Sequence, residues 1–350
     1  MNTITFRTDV SAATGLPPGT CTVSSILLPS PDRMADPTVV VFAFPGGGYG
    51  RGYYTFDMPG SDTGGQAGYH AANHGVVFVA CDLPGVGDSL VADPGNLTWE
   101  QIEAATEAMV EAVMRHLRAG TLAEGFPAVS NPVTIGMGQS MGGCFTIATQ
   151  GRRGLFDAVA ILGFSAIHTR GSGDVMSEEQ PGAPLPHLSM DEHIAMVRRL
   201  SASPDFGKGF HWPDVPEDIV RADLSDYPVR HGNMPEWGSA TMPGCALTML
   251  TPGVVSDEAS AIEVPVFVAA GELDLIPDPH AEPSAYARST DVTVFVVPRM
   301  AHMHNFGGTR FRLWERLGAW FRGVNTQPMR RPIWDNQGCE RVVIRMQIEH

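Results

Sequence analysis

A β-branched apolar run, Val133-Thr134-Ile135, passes into Gly136-Met137-Gly138-Gln139-Ser140-Met141-Gly142-Gly143-Cys144, and a helix-compatible segment from about Gly143 to Thr149 follows. That order predicts a sharp strand-to-helix turn with Ser140 at its tip. The flanking glycines have a steric reason, because side chains two residues either side of the serine would run into the neighbouring strand and helix. Glycine and serine are common enough for an isolated G-x-S-x-G to arise by chance. Its weight comes from a strand before it, a helix after it, and an acid and a histidine further along the chain.

Those neighbours are present. Residues 1–30 read as two strands, Thr3 to Thr8 and Thr22 to Leu28, around a turn at Gly15-Leu16-Pro17-Pro18-Gly19. Thr38 to Phe44 is a continuous apolar run, the pattern of a strand buried on both faces of a parallel sheet. It ends at Pro45-Gly46-Gly47-Gly48-Tyr49-Gly50. A glycine run of this kind is either a flexible loop or a place where bare backbone N–H groups approach a developing oxyanion. Its position after the third strand favours the second.

Val76 to Cys81 is the next strand, followed by Asp82-Leu83-Pro84-Gly85-Val86-Gly87-Asp88-Ser89. A helix from about Trp99 to Leu117 has Thr98 and Gln101 as a capping box and Ile102, Met109, Val113 and Leu117 on one face. Ala158 to Phe164, Val264 to Ala270 and Val292 to Val297 are further strands, and a closing helix runs from about Gly308 to Phe321 with Leu313, Leu317 and Trp320 inward. Alternating strand and helix predicts a mostly parallel central sheet with helices on both faces, an α/β fold.

Residues 165–262 break the alternation. They are rich in proline and methionine and contain one clear helix, with Ser189 and Glu192 as caps and Met190, Ile194 and Val197 on a face. An insertion of this size after the sixth strand reads as a cap over the site, between core segments 1–164 and 263–323. Its methionines and aromatics predict a malleable apolar pocket. Residues 324–350 form an extension whose Ile333, Trp334 and strand-like Arg341 to Ile348 are expected to pack on the core or on a second copy of the chain, as in a homo-oligomer.

Composition removes several function classes. The net charge of −15 argues against nucleic acid, whose phosphates call for a basic surface. The one lysine, Lys208, precedes a glycine, so no G-x-x-x-x-G-K-[ST] phosphate loop exists, and there is no G-x-G-x-x-G. No cofactor is expected. The five cysteines are scattered without a C-x-x-C pair and the first residues lack a basic-then-apolar signal, which predicts a reducing, cytoplasmic setting. No apolar run approaches the ~18 residues of a membrane span.

For the chemistry, Gly271-Glu272-Leu273-Asp274 closes the seventh strand and Ala301-His302-Met303-His304 follows the eighth. Glu272, Asp274 and Asp278 all compete as the acid. His302 and His304 have the spacing of a metal pair, but no further ligand cluster accompanies them, so no metal is expected. The remaining histidines, His70 and His74 among them, are read as surface or satisfied structural residues.

Taken together, the elbow at Ser140, the D-x-x-G-x-G-x-S turn at Asp82 to Ser89, Asp274 after strand seven and His302 after strand eight resemble the α/β-hydrolase family, specifically its serine esterase and lipase-like members. The resemblance spans about Thr38 to Phe321, and it departs where Pro45 stands in place of the histidine that often opens the family's glycine loop. It implies Ser140 as nucleophile, His302 as general base and then acid, Asp274 as its orienter, and the N–H groups of Met141 and of Gly47 or Gly48 as oxyanion donors. Tyr49, Gln139, Met190, Trp212, Trp237 and His304 are candidate substrate contacts. The function implied is hydrolysis of a bulky, neutral, largely apolar carboxylic ester or lactone, a small-molecule substrate. Acyl transfer or carbon–carbon bond hydrolysis by the same triad is the alternative, and a non-catalytic binding protein on the scaffold is a third. Serine at the elbow, where epoxide hydrolases and haloalkane dehalogenases of this fold carry aspartate, argues against those two activities.

Overall fold

The computed structural model describes residues 3–170, 190–201, 204–232 and 234–324. The expectations for residues 171–189 and 325–350, including the Ser189 cap and the strand-like tail, lie outside the described residues, as do the side chains of Met190 and Val197.

Among the described residues one sheet of eight strands has the order β1-β2-β4-β3-β5-β6-β7-β8. These are β1 Thr3–Asp9, β2 Cys21–Leu27, β3 Thr38–Phe44, β4 Val77–Asp82, β5 Pro132–Gln139, β6 Ala158–Leu162, β7 Val266–Gly271 and β8 Val292–Val297. The β1/β2 and β2/β4 pairs are antiparallel and all the others parallel. This is the mostly parallel sheet with helices on both faces that the alternating sequence predicts.

The two-residue period of β3 divides the core. Val40, Phe42 and Phe44 pack on one face with Met109, Val113 and Leu117 of helix Trp99–Ala119 and Phe145 and Ile147 of helix Met141–Arg153. Val39, Val41 and Ala43 pack on the other with Ala67 and Ala71 of helix Gly65–His74 and Leu313, Leu317 and Phe321 of helix Arg310–Gly323. Each helix offers an apolar stripe to a sheet apolar on both sides. The capping box forms: the Gln101 backbone N–H donates to Thr98 Oγ1 at 3.3 Å, and the Thr98 N–H to Gln101 Oε1 at 3.1 Å.

Some element ends differ from expectation. The elbow helix begins at Met141, directly after Ser140, and includes Gly142 and Gly143. Their low helix propensity is overridden by the close approach described below. β6 ends at Leu162 because Gly163 turns the chain with φ +61°.

The long connection from β6 to β7 carries helices Met190–Ser201, Pro204–Phe210 and Glu217–Leu224, and a last helix, Ser256–Ala261. Glu258 of that last helix lies against Gly151 of the elbow helix, so this end of the connection belongs to the helical layer of the core. No helix among the described residues is long and apolar enough to cross a membrane.

His70 departs from the expectation of a satisfied or exposed residue. Its ring is fully buried, stacked on Phe78 with centroids 5.9 Å apart and 5.1 Å from Phe321, and neither nitrogen has a hydrogen-bond partner among the described residues. Burial first, then the neighbouring His74 and Arg322, hold its pKa well below the ordinary histidine value. The unfolded chain therefore takes up a proton near pH 6.5 that the folded protein refuses, and stability falls as pH drops below that point. One such group contributes up to about 1.4 kcal/mol per pH unit. Melting temperatures followed from pH 7 to 5 are expected to fall less steeply in His70→Leu than in the unsubstituted protein. Equal slopes would show that His70 does not carry the effect.

Candidate active site

The elbow is built by β5 running into its helix. Ser140 has φ 52° and ψ −117°, a backbone geometry that costs about 1–3 kcal/mol in a non-glycine residue. The Ser140 N–H donates to the Leu162 carbonyl at 2.8 Å, and its own carbonyl accepts the first helical bond from the Cys144 N–H at 3.0 Å. A Cβ added at Gly138 would collide with the Gly142 backbone, and one at Gly142 with the Phe44 carbonyl. The glycines are therefore steric requirements of the turn, and the Ser140 side chain is left partly exposed.

The acid and the histidine arrive from the ends of β7 and β8. Asp274 is buried, with Oδ1 2.7 Å from His302 Nδ1 and Oδ2 2.7 Å from His304 Nε2. It also accepts the backbone N–H groups of Gly271 and Leu275, each at 2.7 Å. Burial pushes this carboxyl up, but His304, then His302, and the hydrogen bonds from both hold it far below the usual carboxylate range. A carboxylate only accepts, so His302 Nδ1 carries the proton and His302 Nε2 presents a lone pair. Glu272 is exposed and accepts from the Arg299 N–H, and Asp278, also exposed, accepts from the His280 N–H. Neither competitor faces His302.

Gly163, next to the Leu162 that holds Ser140, backs onto this pair. A Cβ there would stand 3.1 Å from the His302 ring and 3.4 Å from Asp274 Oδ1. Serine, histidine and carboxylate are thus gathered at one place. Ser140 Oγ makes no hydrogen bond among the described residues. His302 Nε2 lies 3.4 Å from Gln139 Nε2, whose N–H also donates to the His302 carbonyl at 3.1 Å. Catalytic hydrogen bonds are often long in empty sites and tighten with substrate.

The glycine loop leaves β3 beside the elbow. A Cβ at Gly46 would be 3.3 Å from Ser140 Cβ, and one at Gly47 would be 3.7 Å from Met242 Cε, 3.8 Å from Met141 Sδ and 3.8 Å from Met249 Cε. Three thioethers therefore surround the loop next to the serine. The loop's exit is fixed to the core: buried Asp82, the first residue of the D-x-x-G-x-G-x-S turn, accepts from the Arg51 guanidinium, from the Arg51 N–H at 2.6 Å and from the Asp88 N–H at 3.0 Å.

The insertion reaches the histidine through backbone. The last carbonyls of a helix lack intrahelical partners, and here those of Gly209 and Phe210 accept the N–H groups of His302 at 3.1 Å and Met303 at 2.9 Å. The Phe210 and His302 rings are 5.3 Å apart.

Several expected substrate contacts have other partners. Tyr49 is buried and its hydroxyl donates to Asp223 Oδ2 at 2.7 Å, and the Trp237 indole N–H donates to Asp223 Oδ1 at 2.7 Å. His304 is committed to Asp274, and Gln139 to His302. Trp212 is half-buried along a cleft of about 590 Å³ with Lys208, Val215 and Leu224. The Met190 side chain is outside the described residues.

The sequence reading missed Asp223, Arg230 and Tyr227. Arg230 lies 3.2 Å from Asp223 Oδ1, and its guanidinium sits 4.9 Å from the Tyr49 ring and 5.2 Å from the Tyr227 ring. The available signal was an acid and an arginine seven positions apart in a proline-rich stretch, which periodicity cannot distinguish from a solvated loop.

Residues 40–311 match the model of the alpha/beta hydrolase family. No curated protein matches the chain. Among solved structures, it is similar to a thermophilic esterase from Thermogutta terrifontis at 14% identity and TM-score 0.57, over 92% of this chain and 100% of that one. It is similar to a proline iminopeptidase from Mycobacterium smegmatis at 15% identity and TM-score 0.57, over 92% and 98%. A haloalkane dehalogenase variant from Bradyrhizobium elkanii matches at 13% identity and TM-score 0.55, over 92% and 97%. Likeness at these identities speaks for the fold, on which different chemistries are built.

The geometry ranks the three acids. With a fluorophosphonate probe, Asp274→Asn is expected to slow modification of Ser140 by about 10³–10⁴-fold, because the amide would stabilise the wrong His302 tautomer. Glu272→Gln and Asp278→Asn are expected to stay within about two-fold of the unsubstituted rate, as exposed side chains away from the ring. A larger loss in either of the latter would move the acid.

Proposed function

Because the chain belongs to the α/β-hydrolase family, we propose that it is a serine hydrolase that cleaves a carboxylic ester or lactone through an acyl-serine intermediate. One observation carries this reading: a serine in strained elbow geometry directly follows Gln139, whose side-chain amide meets a histidine whose other ring nitrogen is fixed by a buried carboxylate. A serine hydroxyl is a weak nucleophile until an imidazole takes its proton. In this reading Ser140 Oγ attacks the carbonyl carbon while His302 Nε2 accepts the proton, and Asp274 stabilises the imidazolium. The Met141 N–H, with those of Gly47 or Gly48, receives the oxyanion. His302 then returns the proton to the leaving alkoxide, and water repeats the cycle on the acyl-serine.

The insertion serves as a cap, and its composition near the loop points to the substrate. Met242 and Met249, with Met141 of the core, border Gly47, and the Phe210 ring stands 5.3 Å from that of His302 at a tilt. Thioethers adapt to irregular apolar shapes. A substrate carboxylate would call for a fixed cation, and Arg230 is already engaged by Asp223 and the Gly48 carbonyl. A bulky, neutral, largely apolar ester or lactone fits these surroundings.

Ser140→Ala is expected to reduce turnover of p-nitrophenyl esters by several orders of magnitude while leaving the melting temperature close to that of the unsubstituted protein. A variant that kept a tenth of the activity would sink the assignment. Each methylene buried in such a pocket is worth about 0.8 kcal/mol, so kcat/KM is expected to climb from acetate through butyrate to hexanoate. A steady decline along that series would mean a small pocket.

A further inference from the structure

The two central carbonyls of the glycine loop are held by the insertion. The Tyr227 hydroxyl donates to the Gly47 carbonyl at 3.1 Å. The Gly48 carbonyl accepts the Ser239 N–H at 3.0 Å and the Arg230 Nη1. Within the loop, the Tyr49 N–H donates to the Gly46 carbonyl at 3.1 Å.

A trans peptide is planar, with its C=O and N–H pointing in opposite directions. Fixing the Gly47 carbonyl therefore fixes the Gly48 N–H. Fixing the Gly48 carbonyl fixes the Tyr49 N–H, which holds the Gly46 carbonyl, and that in turn fixes the Gly47 N–H. Peptides joined at glycine are the easiest in a chain to reorient, since neither flank resists a change of φ or ψ. Gly48 itself has φ +83°, and a Cβ there would collide with the Pro228 carbonyl of the insertion.

Arg230 is in turn fixed. It is 2% exposed, donates to the Asp223 backbone carbonyl at 2.6 Å and pairs with Asp223 Oδ1. Asp223 also takes the Tyr49 hydroxyl, His211 Nε2 at 2.9 Å and the Trp237 indole. Burial pushes this carboxyl up, but the hydrogen bond and charge of His211, then Arg230 and Tyr49, bring it below its ordinary value. The anchor is thus a charged carboxylate with four different donor side chains, all converging beside the loop.

We propose that Tyr227 and Arg230, braced by Asp223, are positioning residues that set the direction of the Gly47 and Gly48 N–H groups, so that the oxyanion site is complete only while the insertion is seated. This rests on the serine hydrolase reading. It assigns to the insertion a part in transition-state stabilisation as well as in enclosing substrate.

The test compares an alkyl trifluoromethyl ketone with its non-fluorinated methyl ketone. The former adds Ser140 Oγ to its carbonyl carbon, the carbonyl electron pair moves to oxygen, and the serine proton passes to His302, giving a bound oxyanion. The latter binds without reacting. In Tyr227→Phe, which deletes one hydroxyl, kcat is expected to fall about ten-fold, with KM and the methyl ketone Ki within about two-fold and the trifluoromethyl ketone Ki raised about ten-fold. Arg230→Met, in which Asp223 keeps three donors, is expected to show the same split more strongly. Should that variant fail to fold, Tyr227→Phe decides alone. The proposal is overturned if Tyr227→Phe leaves kcat and the trifluoromethyl ketone Ki within two-fold of the unsubstituted protein, or if both ketones weaken together, as general loosening of the pocket would produce. An unsubstituted protein that neither hydrolyses esters nor reacts with a fluorophosphonate would instead remove the serine hydrolase reading.

Discussion

The parallel pairing of β3 with β5, in the register that sets Phe44 opposite Gly138, is the constraint on which the rest of the site depends. Parallel strands end at a common edge, and crevices outside their carboxyl ends are where such sheets bind ligands. With Phe44 beside Gly138, the glycine loop and the serine elbow leave that edge side by side. The same ladder continues through Gln139 opposite Leu162, Leu162 opposite Ala269 and Gly271 opposite Val297, which brings the acid and histidine turns to the same end. A slip of one residue in any of these pairs would reverse the side chains between faces and misfit the close-packed layers. Burial of the sheet on both sides thus fixes the geometry of the edge.

Two buried carboxylates then organise what lies above that edge. Burying a charge is costly unless it is fully paired and hydrogen-bonded. Asp274 meets this with two imidazoles and two backbone N–H groups, and Asp223 with a phenol, an imidazole, an indole and a guanidinium. Both sit below the ordinary carboxylate range despite burial. One lies in the core and faces the histidine, while the other lies in the insertion and faces the glycine loop. His304 is the less expected member, since it shares the carboxylate that orients His302 and so competes for its charge.

The parts legible in the sequence are those whose cause is local. Thr38 to Phe44 matches its strand end to end because an uninterrupted β-branched and aromatic run marks a strand buried on both faces, and Val292 to Val297 matches its half-buried strand because the same residue types favour the pleated backbone. Thr98 and Gln101 form their box because both partners lie within one helical turn. Ser140, Asp274 and His302 are readable as candidates because Ser140 directly follows the end of a strand and the other two lie in the short turns after β7 and β8. The partners of Tyr49 and Trp237 are not readable, since their contacts to Asp223 span 174 and 14 residues and depend on how a proline-rich segment packs. For the same reason the sequence offers both as substrate contacts, whereas the Tyr49 hydroxyl and the Trp237 indole N–H are occupied by Asp223. His70 is unreadable for a different reason, because nothing local in a helical Gly-Tyr-His-Ala stretch announces that an imidazole will be sealed in without a partner among the described residues.

The helix Pro204–Phe210 ends on the carbonyls that receive the N–H groups of His302 and Met303. This stretch of the insertion is therefore a splint for the His302 turn, attached through main chain rather than through replaceable side groups. Such a stretch cannot be exchanged as a cassette, because any graft would have to bring two acceptors to the same points or leave the histidine turn unsupported. On the proposed serine hydrolase reading, redesign of specificity is accordingly confined to swapping side chains such as Met242 and Met249, which border Gly47, on a retained backbone, and wholesale loop replacement would shift the His302 turn as well.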